Sequence, residues 1–294
     1  MLFVYTIIYK KTKIIYNVHK RTGPKRTFSE KEPSPIRKMG PKRTGPNVPK
    51  RTFRKRRKEK MKTQKITLKS KIDNLELECL LTIPDTEIKG IIQLAHGMNE
   101  HKERYTKFIE YLAQNGYVCI INDHRGHGKS IKNQEDLGYF YDSKAEAVIE
   151  DLYQITEYIK EKFPNKKIIL FGHSMGSMIV RKYIAKYDDK IDGLIVCGSP
   201  SENKAAKLGL VLIKIAELFK GEKYRSKTLK KLMFGGFGKK NEMTNSWICT
   251  NKEVVEKYNK DELCIYNYTL NGLENIVRLM IDIYNPKIYQ KKII

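Results

Sequence analysis

From about residue 66 onward, short apolar runs alternate with segments of helical spacing. Between residues 66 and 83, Leu75, Leu77, Cys79 and Leu81 occupy every second position, which predicts two antiparallel strands joined by a turn at 71–74. Residues 90–95 and 117–121 are continuous apolar runs and read as buried strands. The helix expected between them covers residues 105–115, with Phe108, Tyr111 and Leu112 on its apolar side and Gly116 as its stop signal. Val148, Leu152, Ile155 and Ile159 are spaced four, three and four apart, one stripe on a long helix from about 144 to 162 that Pro164 ends. A strand at 167–171, a helix carrying Met178, Ile179, Ile184 and Ala185, and a strand at 191–197 follow. Apolar strands alternating with helices imply an α/β fold with a mostly parallel sheet flanked by helices on both faces.

After Gly198 the alternation stops. Residues 204–220 read as a helix that is apolar around much of its circumference (Leu208, Leu210, Val211, Leu212, Ile213, Ile215, Leu218, Phe219) and edged by Lys204, Lys207, Lys214 and Lys220. Further helical pieces and a Gly235-Gly236-Phe237-Gly238 turn lead to about Tyr268. Two readings are open: an ordinary core helix, or a helical cap over the catalytic face. A cap of this composition suits a lipid acyl chain and an anionic interface.

Charge changes the picture only at one end. Of a net +25, most lies in residues 1–60, which hold 20 Lys+Arg against 3 Asp+Glu. The excess therefore belongs to a tail and not to a binding face of the folded part, so nucleic acid is not the expected partner. Residues 20–28 recur, with three residues inserted, as 42–53, and Gly, Pro and Lys/Arg dominate throughout, so disorder is expected. The basic run at 50–60 can attract nucleic acid or anionic lipid, or resemble a nuclear-import signal. The plainer readings are a solvated tail or an upstream extension of the reading frame, since regular patterning begins at Met61. The apolar first nine residues are too short to span a bilayer and lack a signal peptide's basic start. Cys79, Cys119, Cys197, Cys249 and Cys264 show no C-x-x-C spacing, which points to buried thiols in a reducing, cytoplasmic setting, with no metal or cofactor implied.

The chemistry centres on Gly172-His173-Ser174-Met175-Gly176, a G-x-S-x-G run between a strand and a helix. This is the context of a nucleophile elbow, where a serine in a strained turn needs very small residues two before and two after it. Gly172 and Gly176 meet that need, and the helix N-terminus favours an anionic intermediate. Position assigns the oxyanion donors to the backbone N–H groups of Met175 and of Met98, just past His96-Gly97.

With these residues in view, 61 to about 285 resembles the α/β-hydrolase superfamily, and within it the monoacylglycerol lipase/lysophospholipase branch, also called serine aminopeptidase-like. His96-Gly97-Met98-Asn99-Glu100-His101 is similar to that branch's H-G-x-x-E-H oxyanion loop, and 123–130 (DHRGHGKS) to its D-x-R-G-H-G-x-S loop. The resemblance implies a serine hydrolase of lipid carboxylic esters with Ser174 as nucleophile, no cofactor, and a cap that approaches membranes. His96, His124, His127 and His173 read as residues that shape the turns, not as the base.

The sequence also departs from the family. The triad order in this fold is Ser, then Asp/Glu, then His, yet all six histidines precede Ser174. The acid would follow a strand beginning near Pro286, and Asp282, inside a helical pattern, is a poor substitute. The expected organisation is a tail at 1–60, the first part of the core at 61–198, a cap at 199–270 and a return to the core at 271–294, with the C-terminal strands missing. That arrangement predicts a sheet with an unpaired edge and an uncovered apolar face. Alternatives to the enzyme are an inactive hydrolase or pseudoenzyme, and a protein that binds nucleic acid or anionic membrane through its tail.

Overall fold

The computed structural model describes residues 6–10, 13–17, 61–234 and 243–292. In chain order, β1 (Thr6–Lys10) and β2 (Lys13–Asn17) form a hairpin, and β3 (Lys62–Lys69) and β4 (Glu76–Ile83) form another. Then β5 (Gly90–Ala95), α1 (Thr106–Gln114), β6 (Tyr117–Asn122), α2 (Ala147–Lys162), β7 (Ile168–His173), α3 (Met175–Tyr187) and β8 (Gly193–Cys197) alternate as the apolar pattern requires. Four helices follow among the described residues: α4 (Ala206–Lys220), α5 (Lys227–Phe234), α6 (Lys252–Asn259) and α7 (Leu270–Ile283).

The strands make one sheet in the order β2-β1-β8-β7-β5-β6-β4-β3. Its centre, β6, β5, β7 and β8, is parallel, and the flanking pairs are antiparallel. Alternate side chains divide the core between the two faces. Ile91, Val118, Ile120, Ile168, Leu170 and Leu194 pack with α2 and α3, whereas Ile92, Leu94, Cys119 and Ile121 pack with Ile109 of α1. The polar exception in β5 is Gln93, fully buried, which donates to the Leu152 carbonyl at 2.9 Å and accepts from Thr156 Oγ1 at 2.7 Å. Those bonds satisfy a buried amide and pin the strand to α2.

Several expectations need correction. On α1, Phe108 and Tyr111 are exposed, and Ile109 and Ala113 face the sheet, with Leu112 half-buried between them. The i, i+4 pair Ile109/Ala113 allows closer approach to the strands, while Phe108 rests against Phe171 with ring centroids 5.5 Å apart. The long helix begins at Ala147 and not near 144, because Asp142 Oδ2 accepts from the N–H groups of Glu146 and Ala147 and fixes the start. The β8 edge is not unpaired: β1 lies antiparallel on it, with Ile7 opposite Val196 and Tyr9 opposite Leu194. With that edge taken, Pro286–Lys292 coils into a 3₁₀ turn where a strand was expected. The expectation of disorder for the rest of the tail, and the Gly-rich turn at 235–238, fall outside the described residues.

The ordinary-core reading of α4 also fails. Only Ala206 and Ile213 are buried along it, while Leu218 and Phe219 are 84% and 80% exposed. Lys214 anchors it to α7 through Glu274 at 2.6 Å.

Candidate active site

Ser174 sits between β7 and α3 with φ 52° and ψ −115°, a left-handed conformation that costs a non-glycine residue about 1–3 kcal/mol unless the surroundings impose it. They do impose it. The Ser174 N–H donates to the Cys197 carbonyl at 2.9 Å, which holds the turn to the end of β8. A Cβ on Gly176 would stand 2.1 Å from the Ala95 carbonyl oxygen, and one on Gly172 would stand 2.4 Å from that of Gly176. Only glycine fits at either place, so strand, turn and helix interlock at backbone contact. Met175, the first residue of α3, is buried, and the free N–H groups of that helix open beside the serine.

The loop after β5 meets this turn directly. A Cβ on Gly97 would lie 3.2 Å from Ser174 Cβ, 3.2 Å from His173 Nδ1 and 2.7 Å from Glu100 Oε2. The structure thus brings Gly97 against Ser174 and His173, and Met98, the next residue, is half-buried. Among the described residues, no hydrogen bond holds the Ser174 hydroxyl.

Two neutral histidines fix the loop from behind. His96 Nδ1 bonds the Gly97 carbonyl at 2.8 Å, so this nitrogen carries the proton, and Nε2 accepts the His124 N–H at 3.0 Å. His127 uses Nδ1 on the Arg125 carbonyl, leaving Nε2 to accept from Tyr268 Oη at 2.7 Å. That tyrosine oxygen in turn accepts the Asn99 N–H at 2.9 Å. Burial pushes His96 down to about 4 and His127 to about 3, in keeping with rings whose second nitrogen must stay an acceptor. His124 is also held well below its ordinary value, by burial and by the neighbouring rings, and its two side-chain nitrogens have no partner among the described residues.

The flanking loop supplies the charged braces. Asp123, fully buried, accepts from the Lys102 N–H at 2.7 Å and Nζ at 2.6 Å and from the Lys129 N–H at 2.8 Å. Arg125, also fully buried, reaches Asp151 at 2.7 Å and Asp73 at 3.2 Å, tying the β3–β4 turn to α2. Within the D-x-R-G-H-G-x-S run, Asp123, Arg125 and the His127 ring brace the loops, whereas His124 contributes its backbone N–H and its ring nitrogens have no partner among the described residues.

Glu100 escaped notice as a site residue. Burial raises its carboxyl, but the hydrogen bond and charge of His173 outweigh that and, with Tyr105, bring it to about 2. It accepts from the Gly97 N–H at 2.9 Å and from Tyr105 Oη at 2.9 Å. The E of H-G-x-x-E-H was the available signal. Tyr268 was hidden because its partners lie 169 and 141 positions away. His173, the half-exposed ring before the serine, is engaged with Tyr105 at 3.0 Å and Glu100 at 3.3 Å. Asp282 pairs with Lys182 at 2.8 Å, and no contact joins it to Ser174, Glu100 or His173 among the described residues.

This sheet order and serine turn define an α/β-hydrolase. Residues 86–287 match the family described as serine aminopeptidase, S33 (Hydrolase_4), and the chain belongs to that family. It is similar to a monoacylglycerol lipase of Mycolicibacterium smegmatis, 31% identical over 138 residues that make up 46% of each chain. It is also similar to a monoglyceride lipase of Rattus norvegicus, 24% identical over 71% of this chain and 66% of the relative. The chain thus spans about half to two thirds of the length of these curated relatives. Among solved structures, a thermostable carboxyl esterase of Bacillus coagulans aligns with a TM-score of 0.68 and 27% identity, covering 74% of this chain and 72% of the esterase.

Proposed function

We propose that the chain carries the acyl-accepting half of a lipid ester hydrolase of the monoacylglycerol lipase or lysophospholipase type. Ser174 Oγ attacks the ester carbonyl carbon, and the carbonyl oxygen takes up the electron pair facing the backbone N–H groups of Met98 and Met175. The observation that carries this reading is the strained Ser174 at the head of α3, with Gly97 packed against its Cβ. An amphiphilic ester suits the surroundings. Glu100, Arg104, Tyr105 and His173 form a hydrogen-bonded polar cluster beside the serine. Meanwhile α4 presents Leu208, Val211, Ile215, Leu218 and Phe219 to solvent between lysines, a surface suited to an anionic lipid interface. No helix among the described residues is long and apolar enough to cross a membrane, so the proposed contact is peripheral.

Attack by Ser174 releases a proton, and the given sequence has no histidine after the serine to receive it. The same observation favours a second reading, a non-catalytic relative that binds such esters without turning them over.

A fluorophosphonate probe separates the two. Labelling of Ser174, absent from Ser174→Ala, together with faster release from decanoyl than from acetyl esters, is the expected result. No labelling of a folded chain would sink the nucleophile assignment. Equal turnover of the two esters would remove the lipid assignment and leave the nucleophile.

A further inference from the structure

His101, Asp261 and Cys264 come from distant parts of the chain and meet beside the loop after β5. Each offers one ligand atom, and the three atoms lie within 4.8 Å of one another. Cys264 and His101 are 2% and 7% exposed, and Asp261 is partly open to solvent, which leaves an access route. His101 Nε2 faces Asp261 Oδ2 at 2.8 Å, while Asp261 Oδ1 is held by the Leu263 N–H at 3.0 Å. The turn that carries both cap ligands is closed by the Cys264 N–H donating to the Asp261 carbonyl at 2.8 Å.

A second observation concerns the other side of the ring. His101 Nδ1 lies 2.8 Å from Glu103 Oε2, and Glu103 is itself anchored by Lys102 Nζ at 3.2 Å. A carboxylate that takes the proton on one nitrogen directs the opposite nitrogen toward a cation, which is the usual outer partner of a metal-bound histidine. An imidazole, a carboxylate and a thiolate together suit a borderline-soft ion, whereas calcium or magnesium would prefer oxygen alone. We propose that His101, Asp261 and Cys264 bind a zinc ion that joins the loop after β5 to the turn after α6, with a fourth position open to water. Bonds of about 2.0–2.3 Å in a tetrahedron hold ligand atoms roughly 3.3–3.8 Å apart, so His101 Nε2 and Asp261 Oδ2, 2.8 Å apart here, separate slightly to admit the ion while Cys264 Sγ, within 4.8 Å of both, adjusts to meet it. On binding, the proton on His101 Nε2 and the thiol proton of Cys264 pass to solvent as Zn–N and Zn–S bonds form. The ion would fasten the segment that carries Met98 to residues that follow α6. The scattered cysteines gave no hint of this, because His101 and Asp261 stand 160 positions apart.

The test is titration of the purified 294-residue chain with cobalt(II), followed by displacement with zinc. One equivalent should bring up a thiolate-to-cobalt charge-transfer band, and zinc should abolish it. Cys264→Ser should lose that band, and Asp261→Asn, altered at a partly exposed side chain, should weaken cobalt binding about tenfold or more. X-ray absorption on the zinc-loaded wild-type chain should find one sulfur neighbour with nitrogen and oxygen neighbours, and it decides the matter even if Cys264→Ser does not fold. Absence of the band in the wild type, its survival in Cys264→Ser, or a zinc shell without sulfur would overturn the proposal.

Discussion

The turn and loop around Ser174 are buried and rich in polar groups, whereas α4 is exposed and rich in apolar ones. In the first region, apart from the His124 ring, buried charges and histidines find partners: Asp123 with Lys102, Arg125 with Asp151, His127 with Tyr268. Satisfied buried polarity specifies one geometry, because any other arrangement strands a donor or a charge. In the second region, Leu218 and Phe219 touch mostly solvent, and little depends on which way they point. One region admits a single geometry, and the other leaves an apolar face open to solvent.

The sharpest way to break the comparison is at the glycines. Gly176→Val places a side chain where even a Cβ would stand 2.1 Å from the Ala95 carbonyl oxygen. The expected loss exceeds about 4 kcal/mol, seen as failure to recover soluble protein or as a collapse of the urea midpoint. Recovery of a stable Gly176→Val chain would mean the interlock is looser than described.

Acid comes next. His96 and His127 stay neutral when folded, with pKa values brought down to about 4 and about 3, while unfolded histidine titrates near 6.5. Between pH 6.5 and 4 the unfolded chain binds more protons, so stability falls as the pH falls through that window and is insensitive to these groups above it. The expected drop is on the order of 3 kcal/mol for His96 alone, and His127→Leu should flatten the slope in pH-dependent urea unfolding. At neutral pH, His127→Leu should cost about 1–3 kcal/mol, since it removes the acceptor for Tyr268. His124 offers the internal control. Its ring nitrogens are unpartnered among the described residues, and its backbone N–H already serves His96, so His124→Leu should be neutral or stabilising by about 1 kcal/mol in the same assay.

The smallest effect on stability belongs to α4. Replacing Leu218 and Phe219 together with serine should leave the thermal midpoint within the change given by about 0.5 kcal/mol. The same double variant should weaken binding to anionic vesicles. A large loss of stability would mean that Leu218 and Phe219 are packed against other side chains and not open to solvent.

Much of this contrast was legible in the sequence. The alternation of Leu75, Leu77, Cys79 and Leu81 and the stripe from Val148 to Ile159 emerge buried, because periodicity reports directly on which face meets the core. The elbow was legible for a different reason: two glycines around a serine, between a strand and a helix, leave few alternatives. Reading failed where long-range contact decides. Phe108 and Tyr111 are large aromatic residues, yet the face of α1 that meets the strands is the one carrying Ile109 and Ala113. Tyr268 acquires its role from partners brought by the fold, and no local spacing announces it, whereas Glu100 carried a signal in the H-G-x-x-E-H run that its pairing with His173 makes plain. The pairing of β1 with β8 belongs to the same class, since neither strand carries a mark of the other.

That last pairing has a consequence for the order of assembly. β1 precedes the whole alternating core in the chain, and β8, its neighbour in the sheet, follows only after β5, β6 and β7. A contact spanning so much chain must overcome a large loop-closure entropy, so it forms late, after β5, β6 and β7 have assembled a template. Until then the hairpin waits with one side unpaired, and so does β8. During synthesis this interval is the time of greatest exposure to mispairing between chains, and crowding by other copies on the same message would lengthen the odds against correct closure.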